Sequence, residues 1–203
     1  MNLPRPTKIV GVGRNYRAHA EELGNPLPEE PILFLKPTSA LVGPEEPIVL
    51  PALSRQVEFE AEIGVVALER LRHLSLEEAE RAPIGFLCVN DVTARDLQKK
   101  DGQWTRAKAF DTFCPAGPRV ATGLDWKSLE VIGRLNGAER QRARATEMAF
   151  GIPFLLSFIT AVMTLEPGDL IATGTPAGTG VLSRGDVVEV EIPGVGVLRN
   201  PVR

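Results

Sequence analysis

Short apolar segments separated by turn residues run along most of the chain and predict a domain built mainly of strands. The segments at 8–12, 31–36, 48–50 and 84–90 are apolar and end at glycine, proline or polar residues, as buried strands do. The segment at 57–66 alternates at first and then becomes continuously apolar, which suits a strand that enters the interior. We expect about ten short strands in all, with three or four short helices.

The second half of the chain predicts a hairpin, a buried helix and a closing strand. The Asn-Gly dipeptide at 136–137 lies between an apolar segment and a polar return segment, which is a hairpin signal. The segment 152–162 is uncharged and apolar, and Pro153 suits the first turn of a buried helix. A turn at 166–169 leads into an apolar strand, and the segment 187–192 alternates as a final strand.

Three further helices are predicted from capping signals. Asn15 is a suitable N-cap for a helix that ends at Gly24, because glycine readily adopts the left-handed conformation that ends a helix. Ser75 and Glu78 have the spacing of a capping box. Thr93 resembles the N-cap of a brief helix after the 84–90 strand.

Composition limits the chain to one ordinary globular domain, which we expect to span 1–203. The 203 residues are 43% hydrophobic, and 19 Gly with 17 Pro provide more turn residues than a helical bundle needs. A repeat array and a disordered chain do not fit this composition. Because 23 Lys and Arg are scattered among 26 Asp and Glu, we expect a small-molecule partner and no nucleic acid.

No segment predicts a membrane span, a leader or a disulfide. The longest uncharged apolar run, 152–163, is too short to cross a bilayer, and residues 1–8 have no apolar signal-peptide core. We therefore expect a cytoplasmic protein. Cys88 and Cys114 lie in apolar surroundings, which is typical of free buried cysteines.

Three alternating carboxylates are the most informative feature. In a strand, Glu58, Glu60 and Glu62 share one face, about 7 Å apart, and their charges repel unless a cation lies between them. A solvated outer face is the alternative interpretation. The strand continues into an apolar segment, however, and carboxylates at the mouth of a buried strand need a cation.

Asp91 is a candidate third ligand because it ends the 84–90 strand, where side chains of a rigid scaffold reach into sites. A simple capping role is the common alternative. With two histidines and no Cys/His spacing, zinc is disfavoured. A cluster of carboxylates suits Mg²⁺ or Mn²⁺.

His19 and Glu22 are three residues apart on the first predicted helix and point the same way, at the edge of its buried face. Such a pair can act as a general base with an orienting carboxylate, although a single helical histidine is more often structural. His73 lies among surface charges and receives no role.

Two glycine-bearing segments have different interpretations. Residues 11–16 begin like a dinucleotide-binding motif but lack its third glycine and a following βαβ unit, which excludes nucleotide binding there. Residues 174–180 follow a predicted strand, and their backbone amides could bind an anion. A tight turn between strands is an equal alternative.

Six ordered motifs resemble the fumarylacetoacetate hydrolase family, and the resemblance extends over about 9–202. The motifs are GVGRNYRAHAEE (11–22), LFLKP (33–37), EAEIGVV (60–66), NDVTARDLQ (90–98), KAFDTFCP (108–115) and GTP (174–176).

This resemblance implies a mainly β (α+β) fold, a mixed β-sandwich roll with a few short helices, in a homodimer. It also implies one role for each of nine residues. The implied metal ligands for Mg²⁺ or Mn²⁺ are Glu60, Glu62 and Asp91, a choice that spacing alone leaves open against Glu58/Glu60. The implied catalytic residues are His19 and Glu22 on a lid helix together with Lys108, and the implied substrate-binding residues are Arg95, Gln98 and Thr175.

The implied function is metal-dependent C–C cleavage of a short 2-oxo acid through a pyruvate enolate, by acylpyruvate hydrolysis or oxaloacetate decarboxylation. Isomerisation of a 2-hydroxydienoic acid, such as a hydroxyheptadienedioate or a hydroxymuconate, is the enzymatic alternative. A cation- or acid-binding module is the non-enzymatic one. The segment Ala143-Arg144-Ala145 departs from the family pattern and bears on substrate size or dimer contacts.

Overall fold

The structure is a computed structural model that describes residues 5–203. The predicted absence of a leader over residues 1–8 concerns in part residues 1–4, which lie outside the described residues. The strands are β1 Ile9–Gly13, β2 Ile32–Lys36, β3 Leu41–Val42, β4 Val57–Phe59, β5 Ala61–Ala67, β6 Ile84–Asn90, β7 Thr93–Ala94, β8 Cys114–Ala121, β9 Glu130–Leu135, β10 Ala138–Arg144, β11 Leu170–Ala172, β12 Gly180–Val181, β13 Val187–Ile192 and β14 Gly196–Pro201. The α-helices are α1 Arg17–Glu22, α2 Leu76–Glu80, α3 Arg95–Asp101, α4 Thr105–Lys108 and α5 Ile152–Val162.

The strands form three sheets. The largest has seven strands in the order β2-β1-β11-β5-β6-β8-β3, and it is mixed, because β1 with β11 and β3 with β8 are parallel while the other neighbours are antiparallel. A four-stranded sheet has the order β10-β9-β13-β14, and a three-stranded sheet the order β12-β4-β7. The expected mainly β fold of mixed sheets with a few short helices is confirmed.

The main hydrophobic core lies between the large sheet, the four-stranded sheet and α5. Ile63 of β5, Val131 of β9 and Leu155 of α5 are all buried in this one cluster. The opposite face of β5 carries Val66, which belongs to a smaller cluster with Leu87 and Leu170. Because β5 is buried on both faces, its sequence becomes continuously apolar after Glu62.

Many predicted elements are found where the sequence pattern places them. β6 and α5 have the predicted bounds, β2 ends at Lys36 directly before Pro37, and the β9–β10 hairpin turns at residues 136–137, both of which have positive φ. The Ser75/Glu78 capping box is formed at α2. Among residues 5–203 no helix is both long and apolar enough to cross a membrane.

Other local predictions are wrong. Residues 48–50 form no strand, because only Ile48 pairs, in an isolated bridge with Val202. Asn15 is not the N-cap of α1, since its side chain instead hydrogen-bonds to Phe150 and to the Thr173 carbonyl, and Tyr16 occupies the cap position. Thr93 caps no helix but lies in β7, and α3 begins at Arg95.

The predicted strand at 57–66 is divided, and the division falls at Glu60. β4 pairs with β7 and β12 in the small sheet, whereas β5 joins the large sheet between β11 and β6. Glu60 therefore lies at the junction of two sheets. The chain changes its pairing partners there. Glu60 lies directly before β5 and beside the loop that follows β6.

Candidate metal centre and active site

Glu60, Glu62 and Asp91 form a buried cluster of three carboxylates. Each is between 1% and 4% exposed, and one carboxylate oxygen of each lies within 4.8 Å of the others. Backbone pairing fixes this arrangement, because β5 and β6 are antiparallel and the Asp91 amide donates to the Glu60 carbonyl over 2.9 Å. The Glu60 amide in turn donates to the Asn90 side chain. The structure thus brings together the three predicted metal ligands.

Three buried cations surround the cluster. Lys108 donates to Oε2 of Glu60 over 2.7 Å and also to Oδ2 of Asp91. Arg95 donates to Oε1 of Glu60 over 2.6 Å. Lys36 donates to the other oxygen of Asp91, Oδ1, over 2.5 Å.

Glu58 belongs to this network but lies outside the three-carboxylate cluster. One of its oxygens accepts from Nε of Arg95 over 2.9 Å, and its other oxygen accepts from the side chain of Gln56 over 2.7 Å. Thr179 donates to it as well. Arg95 therefore bridges Glu58 and Glu60, but only Glu60 and Glu62 have oxygens in the cluster with Asp91.

The two glutamates of the cluster differ in acidity. Burial alone would raise the pKa of Glu60, but the charges of Lys108 and Arg95 outweigh burial and hold that pKa below its usual range. The pKa of Glu62 lies well above its usual range, because burial and the charges of Asp91 and Glu60 all disfavour its ionised form. Burial alone would lower the pKa of Lys108, but the charges of Asp91 and Glu60 outweigh burial and raise that pKa above its usual value. The ammonium group therefore stays charged.

The charged groups of this network carry more negative than positive charge, which favours a divalent cation. Counted as ionised groups, four carboxylates oppose three cations, and the surplus is seen in the raised pKa of Glu62. Hard divalent cations prefer carboxylate oxygens in such a cluster. The donor set therefore fits Mg²⁺ or Mn²⁺, and a bound dication would change the formal charge of the network from −1 to +1, which favours an anionic substrate.

His19 and Glu22 form the predicted pair on α1. Nδ1 of His19 lies 3.1 Å from Oε2 of Glu22, and the histidine is 4% exposed. Within residues 5–203 no hydrogen bond engages its Nε2, and His19 lines the same cavity as the carboxylate cluster. Glu22 also accepts from the backbone amide of Gly178 over 3.0 Å, so the pair is fastened to the loop at 174–180.

This loop does direct its amides toward anions, but the anions are carboxylates of the chain itself. Gly174 donates to Glu62 over 2.8 Å, and Gly178 donates to Glu22. Gly178 has a φ of +100°, and a Cβ there would lie 1.9 Å from the Arg140 carbonyl oxygen, so only glycine fits. The connection between β11 and β12, residues 173–179, contains one bend and no tight turn, so of the two interpretations the structure supports amides directed at anions.

A cavity of about 490 Å³ opens over the cluster. All nine predicted site residues line it: His19, Glu22, Glu60, Glu62, Asp91, Arg95, Gln98, Lys108 and Thr175. Gln98 accepts from Arg95 over 2.7 Å. Thr175 donates its hydroxyl to the Ala61 carbonyl and accepts from Gln141, so it holds the loop at 174–180 against β5. His73 is exposed and does not line the cavity.

Two aromatic rings form one wall of the cavity and explain the glycines at 11 and 13. Phe34 and Trp104 contact edge to face with centroids 5.4 Å apart. A Cβ at Gly11 would lie 2.1 Å from the Phe34 ring, and one at Gly13 would lie 2.4 Å from the Trp104 ring. The Gly-x-Gly segment therefore admits two rings.

Sequence reasoning missed several residues of the site. Lys36 stands at the end of an otherwise apolar strand and is 1% exposed, and a lysine in such a strand was a usable signal of a buried ion pair. The ion pair between Glu58 and Arg95 has no local sequence signal, because β5, α2, β6 and β7 lie between β4 and α3 along the chain. Cys88 and Cys114 are free and buried as predicted, and burial raises the pKa of each thiol to about 12.

Comparison with known proteins gives consistent similarities. The sequence pattern described as fumarylacetoacetate (FAA) hydrolase C-terminal matches residues 8–203. An uncharacterized protein of Methanocaldococcus jannaschii is 49% identical over 98% of this chain and 84% of its own. A mitochondrial oxaloacetate tautomerase of Bos taurus is 40% identical over 98% of this chain and 67% of its own.

A solved structure shows the same relationship. The crystal structure of a 2-hydroxyhepta-2,4-diene-1,7-dioate isomerase from Mycobacterium marinum superposes with a TM-score of 0.90. It is 46% identical, and the match covers 98% of this chain and 75% of that one. The similarity thus extends over nearly the whole of this chain.

Proposed function

Because the chain belongs to the fumarylacetoacetate hydrolase family, we propose that it is a divalent-metal-dependent enzyme that cleaves a C–C bond in a short 2-oxo acid. The reactions are acylpyruvate hydrolysis and oxaloacetate decarboxylation. The observation that carries this proposal is the convergence of three buried carboxylates within 4.8 Å of one another beside a buried histidine.

Glu60, Glu62 and Asp91 would hold Mg²⁺ or Mn²⁺, which when bound would supply Lewis-acid stabilisation of negative charge on the substrate. Lys108 adds to this effect because its ammonium group is fixed between Glu60 and Asp91 and faces the cavity. As the substrate bond to C3 breaks, negative charge develops on the 2-oxo oxygen, and a preorganised cation there lowers the barrier. Arg95 holds Glu60 in place and contributes a further positive charge.

His19 would act as the general base of the hydrolytic reaction. Its Nε2 takes a proton from water as that water adds to the distal carbonyl of an acylpyruvate, and Glu22 stabilises the imidazolium that forms. The C–C bond then breaks, the acyl group leaves as a carboxylic acid, and C3 of the pyruvate enolate receives the proton. Decarboxylation of oxaloacetate forms the same enolate by loss of CO₂ and needs no nucleophile.

Isomerisation of a 2-hydroxydienoic diacid is the second candidate, favoured by the 46% identity to the Mycobacterium marinum isomerase. It uses the same carboxylate cluster, but the 2-hydroxyl oxygen loses a proton, a carbon of the diene gains one, and no bond between carbons breaks. Keto–enol tautomerisation of oxaloacetate, the activity in the name of the Bos taurus relative, is a proton transfer of the same kind.

A pure binding module is disfavoured by the His19–Glu22 pair. A site that only holds a cation or an acid needs no general base, yet the imidazole is buried, oriented by Glu22 and directed into the cavity. The oriented imidazole is expected of an enzyme that moves protons.

The test is a substrate comparison with the purified protein. After treatment with a chelator, Mg²⁺ or Mn²⁺ is restored, and acetylpyruvate, oxaloacetate and a 2-hydroxydienedioate are followed by absorbance. Metal-dependent consumption of the first two, abolished by Glu60→Ala, is the expected result. Turnover of the dienedioate alone would favour the isomerase, and no metal-dependent turnover of any of the three would overturn the proposal.

A further inference from the structure

Two cations at the mouth of the cavity have no carboxylate partner. Arg14 is half-buried and Lys99 is exposed, and both line the cavity. Neither forms an ion pair with any carboxylate in the part of the chain from 5 to 203. Lys108 and Arg95 on the cavity floor differ in this respect, because each is already held by two carboxylates.

The backbone fixes Arg14 at this place. Its φ of +57° is a left-handed conformation that is costly for a residue with a side chain and that is found preferentially at functional sites. The next residue holds this conformation, because Asn15 accepts from the Phe150 amide and donates to the Thr173 carbonyl, both over 2.8 Å. The backbone at Arg14 is therefore fixed where the chain enters the site.

The guanidinium group of Arg14 is supported by the aromatic wall. It lies 6.0 Å from the centroid of the Trp104 ring, which is in turn held by Phe34. A ring restricts the guanidinium without neutralising its charge, so the donors remain available to a ligand. An arginine fork presented in this way matches the two oxygens of a carboxylate.

We infer that the mouth of the cavity binds a second carboxylate of the substrate, between Arg14 and Lys99, so that 2-oxo diacids are preferred to 2-oxo monoacids. This inference rests on the proposed function, which places the 2-oxo carboxylate end of the substrate over the carboxylate cluster. The far end then meets two cations that form no ion pair with a carboxylate of residues 5–203. A substrate with an apolar end would leave both cations without a partner.

The test uses two 2-oxo acids of equal length that are not cleaved: 2-oxoglutarate, which has a second carboxylate, and 2-oxopentanoate, which has a methyl group instead. Their affinities for the Mg²⁺-loaded protein are measured by titration calorimetry. We expect 2-oxoglutarate to bind at least about tenfold more tightly, since one charge-assisted contact contributes about 1.5–3 kcal/mol. Arg14→Met and Lys99→Met should each reduce this preference, whereas Lys100→Met, on an exposed neighbour that does not line the cavity, should leave it unchanged.

Equal binding of the two acids to the unaltered protein would overturn the inference and leave the proposed function intact. Binding of neither acid would instead count against the proposed function. If Arg14→Met weakens both acids equally, the residue stabilises the cavity and does not select a carboxylate. Because Lys99 is exposed, Lys99→Met provides the same test without risk to the fold.

Discussion

Nζ of Lys36 donates to Oδ1 of Asp91 over 2.5 Å, while the other oxygen of this carboxylate accepts from Lys108. The two lysines are not equivalent, because Lys108 lines the cavity and Lys36 is fully buried outside it. Asp91, a proposed metal ligand, is therefore held at one oxygen by a buried lysine and at the other by a lysine that lines the cavity.

Lys36→Met should destabilise the protein by about 3–5 kcal/mol, because removing one partner of a buried ion pair leaves the other charge uncompensated. The free energy of unfolding from urea titration measures this loss. Lys100→Met removes an exposed lysine and should change it by less than about 0.5 kcal/mol. Equal stabilities of the Lys36→Met variant and the unaltered protein would contradict the ion pair.

His19→Ala should lower acetylpyruvate hydrolysis by about a hundredfold or more, since a positioned general base contributes about that factor. Oxaloacetate decarboxylation should persist, because it needs no activated water. Initial rates of both reactions measure the difference, and His73→Ala on the exposed histidine serves as the control. Equal loss of both reactions would assign His19 another task, such as closing the cavity.

Gly178→Ala should impair hydrolysis by about a hundredfold, because the added Cβ forces the loop away from Arg140 and withdraws the amide that holds Glu22. Gly185→Ala is a matched control: its φ of +93° imposes a similar backbone penalty, but its Cβ would meet no atom within 4 Å. Comparable loss of hydrolysis in the two variants would show that backbone strain alone, and not the contact with Glu22, explains the effect.

Asp169 gives a pH-dependent contribution to stability. Burial raises its pKa, but hydrogen bonds from Lys8, the Glu166 amide and Thr7 outweigh burial and hold the pKa below its usual range. A depressed folded-state pKa stabilises the protein above the unfolded-state pKa, near 4, and the stabilisation is lost as the pH falls through the folded-state value.

Asp169→Asn should therefore lower the free energy of unfolding by about 2–3 kcal/mol at about pH 7. The gap between the variant and the unaltered protein should narrow as the pH falls below about 4, where Asp169 itself becomes protonated. Urea titrations across this pH range measure the gap. A gap that stays constant with pH would contradict an ionised Asp169 in the folded state.

The sequence predicts those parts of the fold that local chemistry determines. Ser75 with Glu78 satisfies the first turn of α2 within four residues, and the Asn-Gly turn at 136–137 has the positive φ values that its residues favour. The strand β8, which carries two prolines, was not predicted, because its pairing with β6 and β3 is decided by distant residues. The same applies to the division at Glu60, which depends on which sheet each half joins.

For the site, periodicity identifies the carboxylates but cannot choose among them. Glu58, Glu60 and Glu62 alternate equally well, and the family motif selects the last two. In the structure Arg95 bonds both Glu58 and Glu60, and the difference is that oxygens of Glu60 and Glu62, but not of Glu58, belong to the cluster with Asp91. The metal-binding role, like the homodimer and the cytoplasmic location, stays a prediction.

Titration with Mn²⁺ tests directly whether Glu60, Glu62 and Asp91 bind a divalent cation. Free Mn²⁺ is measured by electron paramagnetic resonance during titration of the unaltered protein, of Glu60→Gln and of Glu58→Gln, in which a neighbouring buried glutamate outside the cluster is changed. We expect one Mn²⁺ to bind per chain in the unaltered protein and in Glu58→Gln, and we expect this binding to be lost in Glu60→Gln. Absence of stoichiometric binding to the unaltered protein, or equal binding to Glu60→Gln, would contradict this prediction.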